Sequence, residues 1–125
     1  MLDVRRVLIA EDEPLVAYCL ARAVEDADGE VAGPVSSVED GLALLAETDV
    51  HAAILDVRLV DQDVVPIARA LLERGRVIVF HTASPVPEEI VPGPVRVAVC
   101  PKPMDAETVV SRLATLISAA APDAD

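Results

Sequence analysis

The chain is short of bases, of cysteines and of long apolar runs, and each shortage removes a class of function. Ten Lys and Arg stand against 22 Asp and Glu, a net charge of −12. Phosphate backbones and anionic membrane surfaces repel such a charge, so nucleic-acid and membrane partners are disfavoured. Basic protein surfaces remain open as partners, and charge outside any cluster also keeps a small protein in solution. The two cysteines, Cys19 and Cys100, belong to no CxxC and to no Cys/His pattern at zinc spacing. Cys19 falls on an apolar helical stripe and Cys100 ends a strand-like run, so both are expected to be small buried thiols. A disulfide is not expected in a reducing compartment. Charges break every apolar stretch well short of the roughly 18 residues a membrane helix needs. The N-terminus, Met1 to Arg6, is too short and too quickly charged for a signal peptide. The expected compartment is the cytoplasm.

What is present is enough for a core. With 125 residues, 53% of them hydrophobic, the chain reads as one domain over 1–125, with its core at about 5–119 and a short tail at 120–125. Strand-like and helix-like segments alternate five times. The first strand is about Val7 to Ala10. A helix begins near Pro14, a residue suited to a first turn. Its apolar positions Leu15, Val16, Cys19, Leu20, Ala23 and Val24 recur at helical spacing, and it stops in the turn Asp26-Ala27-Asp28-Gly29. The second strand is about Glu30 to Val35. The next helix opens on Ser36 and Glu39, spaced as a capping box, and runs to about Glu47. The third strand is Ala52 to Asp56. A helix capped by Asp63 carries Pro66 in its first turn and stops at Gly75. The fourth strand is Val77 to Phe80. Pro85, Pro87, Pro92 and Pro94 then leave room only for a short helix around Glu88 to Val91. The fifth strand is Val95 to Val99, and a last helix follows Asp105. Strands apolar throughout belong in a parallel sheet covered on both faces, so a doubly wound α/β fold is predicted.

Ligands in such folds bind beyond the carboxyl ends of the strands. Glu11 and Asp12 follow the first strand, Asp56 ends the third, Thr82 follows the fourth, and Lys102, between Pro101 and Pro103, follows the fifth. Each has a plain reading taken singly. An acid after a strand is often the N-cap of the next helix, which describes Glu13 well, and Thr82 can bond its own loop. Jointly they gather at one sheet edge. Three acids at one point repel and call for a cation, and oxygen-only ligands favour a hard ion such as Mg²⁺. A metal beside a carboxylate able to attack phosphorus points to phosphoryl transfer.

The acidic turn Glu11-Asp12-Glu13, Ile54-Leu55-Asp56, Thr82-Ala83 and Lys102-Pro103 together resemble the response-regulator receiver domain, over about Arg5 to Ala119. The resemblance implies a flavodoxin-like (βα)5 fold with strand order 2-1-3-4-5. It implies that Asp56 accepts a phosphoryl group from a sensor histidine kinase or phosphotransfer protein. Mg²⁺, or another divalent ion such as Mn²⁺, would be held by Glu11, Asp12, Asp56 and the backbone carbonyl of Arg58. Thr82 and Lys102 would bind phosphoryl oxygens, and the Lys102–Pro103 bond would be cis. The downstream partner would be a protein, which the sequence does not identify.

The chain also departs from the family. Three residues before the lysine, where the family carries a signalling aromatic, stands Val99. Tyr18 and Phe80 are the only aromatics, so no substitute is evident. Val60 and Val64 replace the usual proline and glycine after the phosphoacceptor. These features, with Phe80-His81-Thr82, resemble a group of alphaproteobacterial single-domain receivers that have a Phe-x-Thr motif and no strand-5 aromatic. His81 reads as a surface residue at a strand end, or as a group that relays a proton near the site. Arg58 is expected to cover part of the site. One competing reading is a receiver-fold interaction module that works without phosphorylation, motivated by the missing aromatic. Another is an aspartyl phosphatase, opposed by Arg58 where such enzymes need a second acid.

Overall fold

The computed structural model describes residues 1–3, 5–90 and 96–120. Nine elements are formed: β1 (Arg6–Ala10), α1 (Pro14–Asp26), β2 (Glu30–Val35), α2 (Val38–Glu47), β3 (Ala52–Leu55), α3 (Val65–Glu73), β4 (Val77–Thr82), β5 (Val97–Pro101) and α4 (Ala106–Ala120). The strands make one parallel sheet in the order β2-β1-β3-β4-β5, as predicted.

β3 is apolar at every position, as are Val7 to Ala10 of β1 and Val77 to Phe80 of β4, because both faces are covered. Side chains alternate across the sheet, so neighbouring residues enter different cores. Leu8, Ala53, Ile78 and Phe80 pack with Val38 and Leu45 of α2 and with Ile67, Ala68 and Leu71 of α3. Val7, Ile9, Ala52, Ile54, Val77 and Val79 pack with Leu20 and Val24 of α1 and with Val109, Val110 and Leu113 of α4. Among the described residues no helix is long and apolar enough to cross a membrane.

Several local expectations shift. The cap of α2 is Ser37, not Ser36: its hydroxyl accepts from Asp40 N at 3.0 Å. The same spacing of serine and acid occurs one residue later, and the fold uses that register. Asp61, from the loop after β3, completes this helix start. Its carboxylate accepts from Val38 N at 2.8 Å and from Glu39 N at 3.0 Å. The N-cap position of α3 is Val64, not the expected Asp63, and its side chain caps nothing; Asp63, one residue earlier, accepts from Val65 N at 3.2 Å, and Gly75, at φ +73°, ends the segment as expected. Cys19 is exposed, contrary to expectation, while Cys100 is buried. On α1 the buried stripe is Ala17, Leu20, Ala23 and Val24, so Cys19 faces outward although its spacing fits an apolar stripe.

Between β4 and β5 the described residues hold turns. The expected short helix is not formed over Glu88 to Ile90, where Ile90 N donates to Pro87 O at 3.0 Å. Four helices, not five, are therefore formed among the described residues. Val91, Pro92, Pro94 and the expected first residue of the fifth strand, Val95, lie outside the described residues, as does the tail beyond Ala120. The described part of β5 runs later than predicted, to Pro101.

On the edge strand β2 the register slips by one residue: Leu8 faces Ala32, but Ala10 faces Val35. Gly33, at φ +94°, makes this bulge possible, because any side chain there would meet Val35 N and Ile9 O. Pro34, which lacks an N–H, follows on the same edge. The slip brings Val35 O to the place where Glu11 N donates to it at 2.9 Å. The bulge therefore fixes the backbone of a site residue.

Candidate functional site

The carboxyl edge of the sheet is tied together by backbone bonds that continue the ladder past the strands. Asp56 N donates to Ala10 O at 2.9 Å, and Lys102 N donates to Thr82 O at 3.0 Å. With Glu11 N on Val35 O, these bonds set three site residues just past the ends of β1, β3 and β5. The expected convergence is met: carboxylate oxygens of Glu11, Asp12 and Asp56 lie within 4.8 Å of one another. Glu11 and Asp56 are buried and Asp12 is exposed.

Lys102 reaches into this group. Its Nζ lies 3.0 Å from Glu11 Oε1, 3.0 Å from Asp56 Oδ2 and 3.3 Å from Glu13 Oε1. The Lys102–Pro103 bond is cis, as the resemblance implied. Burial works against the ammonium charge of Lys102, but its hydrogen bonds and attraction to Glu11 and Asp56 outweigh it and push its pKa up. It stays charged. Burial acts the other way on Glu11 and raises its carboxyl to about 7, against the pull of Lys102 and of the Glu13 N–H and with the push of Asp56. An ion pair should raise its base and lower its acid, so these two shifts disagree. Lys102 divides one charge among three acids, and the share reaching Glu11 does not offset its burial.

Glu13 is a correction. It occupies the N-cap position of α1, yet its side chain caps nothing; it pairs with Lys102 instead. Its backbone N donates to Glu11 Oε2 at 3.2 Å. Glu11 Oε1 is buried and meets only the Lys102 ammonium, at 3.0 Å. Three carboxylates whose oxygens lie within 4.8 Å of one another share that one ammonium with Glu13, and a group offering only oxygen fits a hard divalent cation.

Thr82 is buried, and its hydroxyl bonds its own loop: Oγ1 accepts from Ser84 N at 2.9 Å and donates to Ser84 O at 3.2 Å. That is the plain alternative weighed for this residue. Arg58 is exposed, two residues past Asp56, in a turn where it makes a single antiparallel bridge with Asp63. Val99 faces away from the α1/α4 side and is 38% exposed. His81 is buried, against the expected surface position. It is the fifth residue of β4, whose six residues are all buried, and burial lowers its pKa. The strand runs two residues past its expected end at Phe80, which takes His81 inside. The role of Asp61 had no sequence signal, since its partners on α2 lie 22 and 23 residues away.

Parallel strands in this order, with an acid cluster and a lysine at their carboxyl ends, define a receiver-like α/β fold. No family model and no curated protein matches the chain. Solved structures do. SdrG from Sphingomonas melonis Fr1 is 31% identical, with a TM-score of 0.76, over 94% of this chain and 99% of that one. The response regulator PhyR from Brucella abortus is 25% identical, with a TM-score of 0.71, and the match spans 94% of this chain and 47% of that protein. A response regulator receiver protein from Sinorhizobium medicae WSM419 shares the fold at a TM-score of 0.79 and 20% identity, over 97% of this chain and all of that one. The chain belongs to the receiver-domain family of response regulators.

Proposed function

We propose that this receiver domain takes a phosphoryl group onto Asp56 from a histidine kinase or phosphotransfer protein and signals through protein contacts. The observation that carries this reading is the place of Lys102 Nζ, 3.0 Å from both Asp56 and Glu11. An Asp56 carboxylate oxygen attacks phosphorus, the phosphorus–nitrogen bond of a phosphohistidine breaks, and the departing imidazole keeps the electron pair. The product is an acyl phosphate. Such a transfer needs an in-line nucleophile and neutralisation of spread-out negative charge.

Lys102 supplies fixed positive charge at the oxygens and holds Asp56 in place beforehand. Glu11, Asp12, Asp56 and the Arg58 carbonyl are the residues that would hold Mg²⁺ or Mn²⁺, whose part is to neutralise phosphoryl charge. Thr82 donates to a phosphoryl oxygen once its hydroxyl leaves Ser84. An acyl phosphate hydrolyses by itself, which suits a transient switch rather than a turnover enzyme. The compartment we assign is the cytoplasm, where histidine kinases present their phosphodonor sites. The domain we assign is the whole of 1–125, with its core at 5–119.

The donor's docking face is assigned to the outer side of α1 and the start of α4. Leu15 is 74% exposed and Tyr18 58% exposed. With Cys19, Met104 and Ala106 they line an open groove of about 690 Å³, adjacent in sequence to Glu13 and Lys102. Exposed apolar side chains gathered in this way favour a protein partner.

One observation favours the module that works without phosphorylation: the Thr82 hydroxyl is already engaged by Ser84. Intact mass after incubation with acetyl phosphate and Mg²⁺ separates the two readings. A phosphoryl adduct is expected on the native protein and on neither Asp56→Asn nor the metal-free sample. No adduct from acetyl phosphate or from phosphorylated kinases would favour the module.

A further inference from the structure

Asp61 stands in the loop after Asp56, exposed to solvent, yet both of its carboxylate oxygens are engaged. Oδ1 accepts from Val38 N at 2.8 Å and Oδ2 accepts from Glu39 N at 3.0 Å. Oδ1 also accepts from Gln62 N at 3.0 Å, inside its own loop. A carboxylate at a helix start is ordinarily a cap. The helix α2 already has one of its own in Ser37. The bonds of Asp61 also fasten the loop.

That loop is a narrow antiparallel turn. Val64 N donates to Val57 O at 2.9 Å and Leu59 N donates to Gln62 O at 3.2 Å, on either side of the bridge between Arg58 and Asp63. In such a pair the flanking residues make the bonds, so the N–H and C=O of Arg58 point out of the ladder. This carbonyl is the one offered to the divalent ion. The tip of the turn is anchored to the junction of β2 and α2. Val60 N donates to Ser36 O at 3.0 Å, and Asp61 takes two N–H groups of α2. The same junction holds the acidic turn after β1, because Glu11 N donates to Val35 O at 2.9 Å. Residues 35–39 therefore grip both banks of the candidate cation site, Glu11 on one and the Arg58 turn on the other.

We propose that Asp61 is a positioning residue for the divalent cation: by tying the tip of the turn to the start of α2, it fixes the Arg58 carbonyl relative to Glu11. This rests on the reading of the acid cluster as the Mg²⁺ site of a phosphoacceptor. Without Asp61 the turn keeps its internal ladder but loses its side-chain tether, and the carbonyl spreads over more positions. Binding must then order the turn, which weakens it. The coupling runs both ways, since an ion that holds the carbonyl also steadies the tip. The amides of Val38 and Glu39 therefore sense a cation they do not touch.

Mg²⁺ alone, titrated into the full chain at a temperature where every variant is folded, provides the test. In the native protein the Val38 and Glu39 amide resonances are expected to shift along the same binding curve as those of Asp12 and Asp56. Asp61→Ala should bind Mg²⁺ about tenfold more weakly, the low end for losing a partner that orients a metal ligand. Asp61→Asn keeps one acceptor oxygen and should fall between; should Asp61→Ala not fold, it carries the comparison. Ser37→Ala removes the other cap of α2 without touching the loop, so it should lower the Tm and leave the Mg²⁺ affinity unchanged. Glu39→Gln removes only a neighbouring charge and should bind as the native protein does. Native affinity in Asp61→Ala overturns the proposal. So does an equal loss in Ser37→Ala, which would make helix capping the cause, or in Glu39→Gln, which would make it general attraction. Acetyl phosphate adducts are weighed in parallel. If the native protein neither binds Mg²⁺ nor takes an adduct, the reading of the site fails and the role of Asp61 with it. If it does both while Asp61→Ala binds Mg²⁺ equally well, only the role of Asp61 fails.

Discussion

At Lys102 a single ammonium faces Glu11, Glu13 and Asp56. Removing it leaves two buried carboxylates beside each other without a fixed counter-charge. Lys102→Ala is therefore expected to slow phosphorylation by acetyl phosphate by about a hundredfold, the usual scale for losing one preorganised electrostatic group; a mass time course measures it. Asp56 itself was legible because a carboxylate ending an apolar strand has no solvent reason to be there. Glu13 was not legible, because the same residue type at a helix start has an ordinary use, and only the lysine from a distant strand end reveals another. Arg58 is exposed two residues past Asp56. Its side chain is expected to cover the site and hinder water, so Arg58→Ala is expected to shorten the acyl-phosphate half-life, and an unchanged half-life would contradict that role.

Among the elements, α2 depends on a residue outside itself. Two of its first N–H groups are satisfied by Asp61, and the backbone is pinned nearby where Val60 N donates to Ser36 O at 3.0 Å. The loop after Asp56 is thereby fastened to the start of a helix. Hydrogen bonds from the backbone, that of Val38 foremost, hold the Asp61 carboxyl below its ordinary 3.8. A depressed acid stabilises the fold above its unfolded value, and that contribution is lost as pH falls through the lower folded one. Asp61→Ala should lower the Tm at neutral pH, and the gap from the native protein should be full above about pH 4 and close below it. A pH-independent gap would assign the effect to packing. The helices and strands were legible from apolar spacing, since burial on one or two faces is what writes that spacing. Capping was less so: Ser36 and Ser37 are adjacent serines with acids three residues on, and the chain's entry angle chooses between them. Over the described residues Glu88 to Ile90 the expected short helix is a turn, and Pro85 and Pro87 remove N–H donors just before it.

For the whole molecule, a net charge of −12 and an acid cluster at one sheet edge both oppose folding in the absence of a cation. An ion that binds only the folded chain stabilises it by mass action, about 2.7 kcal/mol at a hundredfold excess over Kd. Mg²⁺ should therefore raise the Tm in a concentration-dependent way, and Asp12→Asn should blunt the rise without abolishing the fold, because Asp12 is exposed. A rise equal in the variant, or one matched by monovalent salt at the same ionic strength, would mark general screening instead. The fold at this scale was legible because parallel strands with both faces covered admit few arrangements. The region where a fifth helix was expected was not, because its prolines state what cannot form and leave open what does.

The most direct measurement is the identity of the modified residue. The protein is incubated with acetyl phosphate and Mg²⁺, reduced with borohydride so that an aspartyl phosphate becomes homoserine, and digested for peptide mass analysis. Homoserine at position 56, dependent on the metal and absent from the untreated protein, is the predicted result. Reduction at another acid, or an unmodified Asp56 after treatment with a phosphorylated histidine kinase as well, would contradict the account.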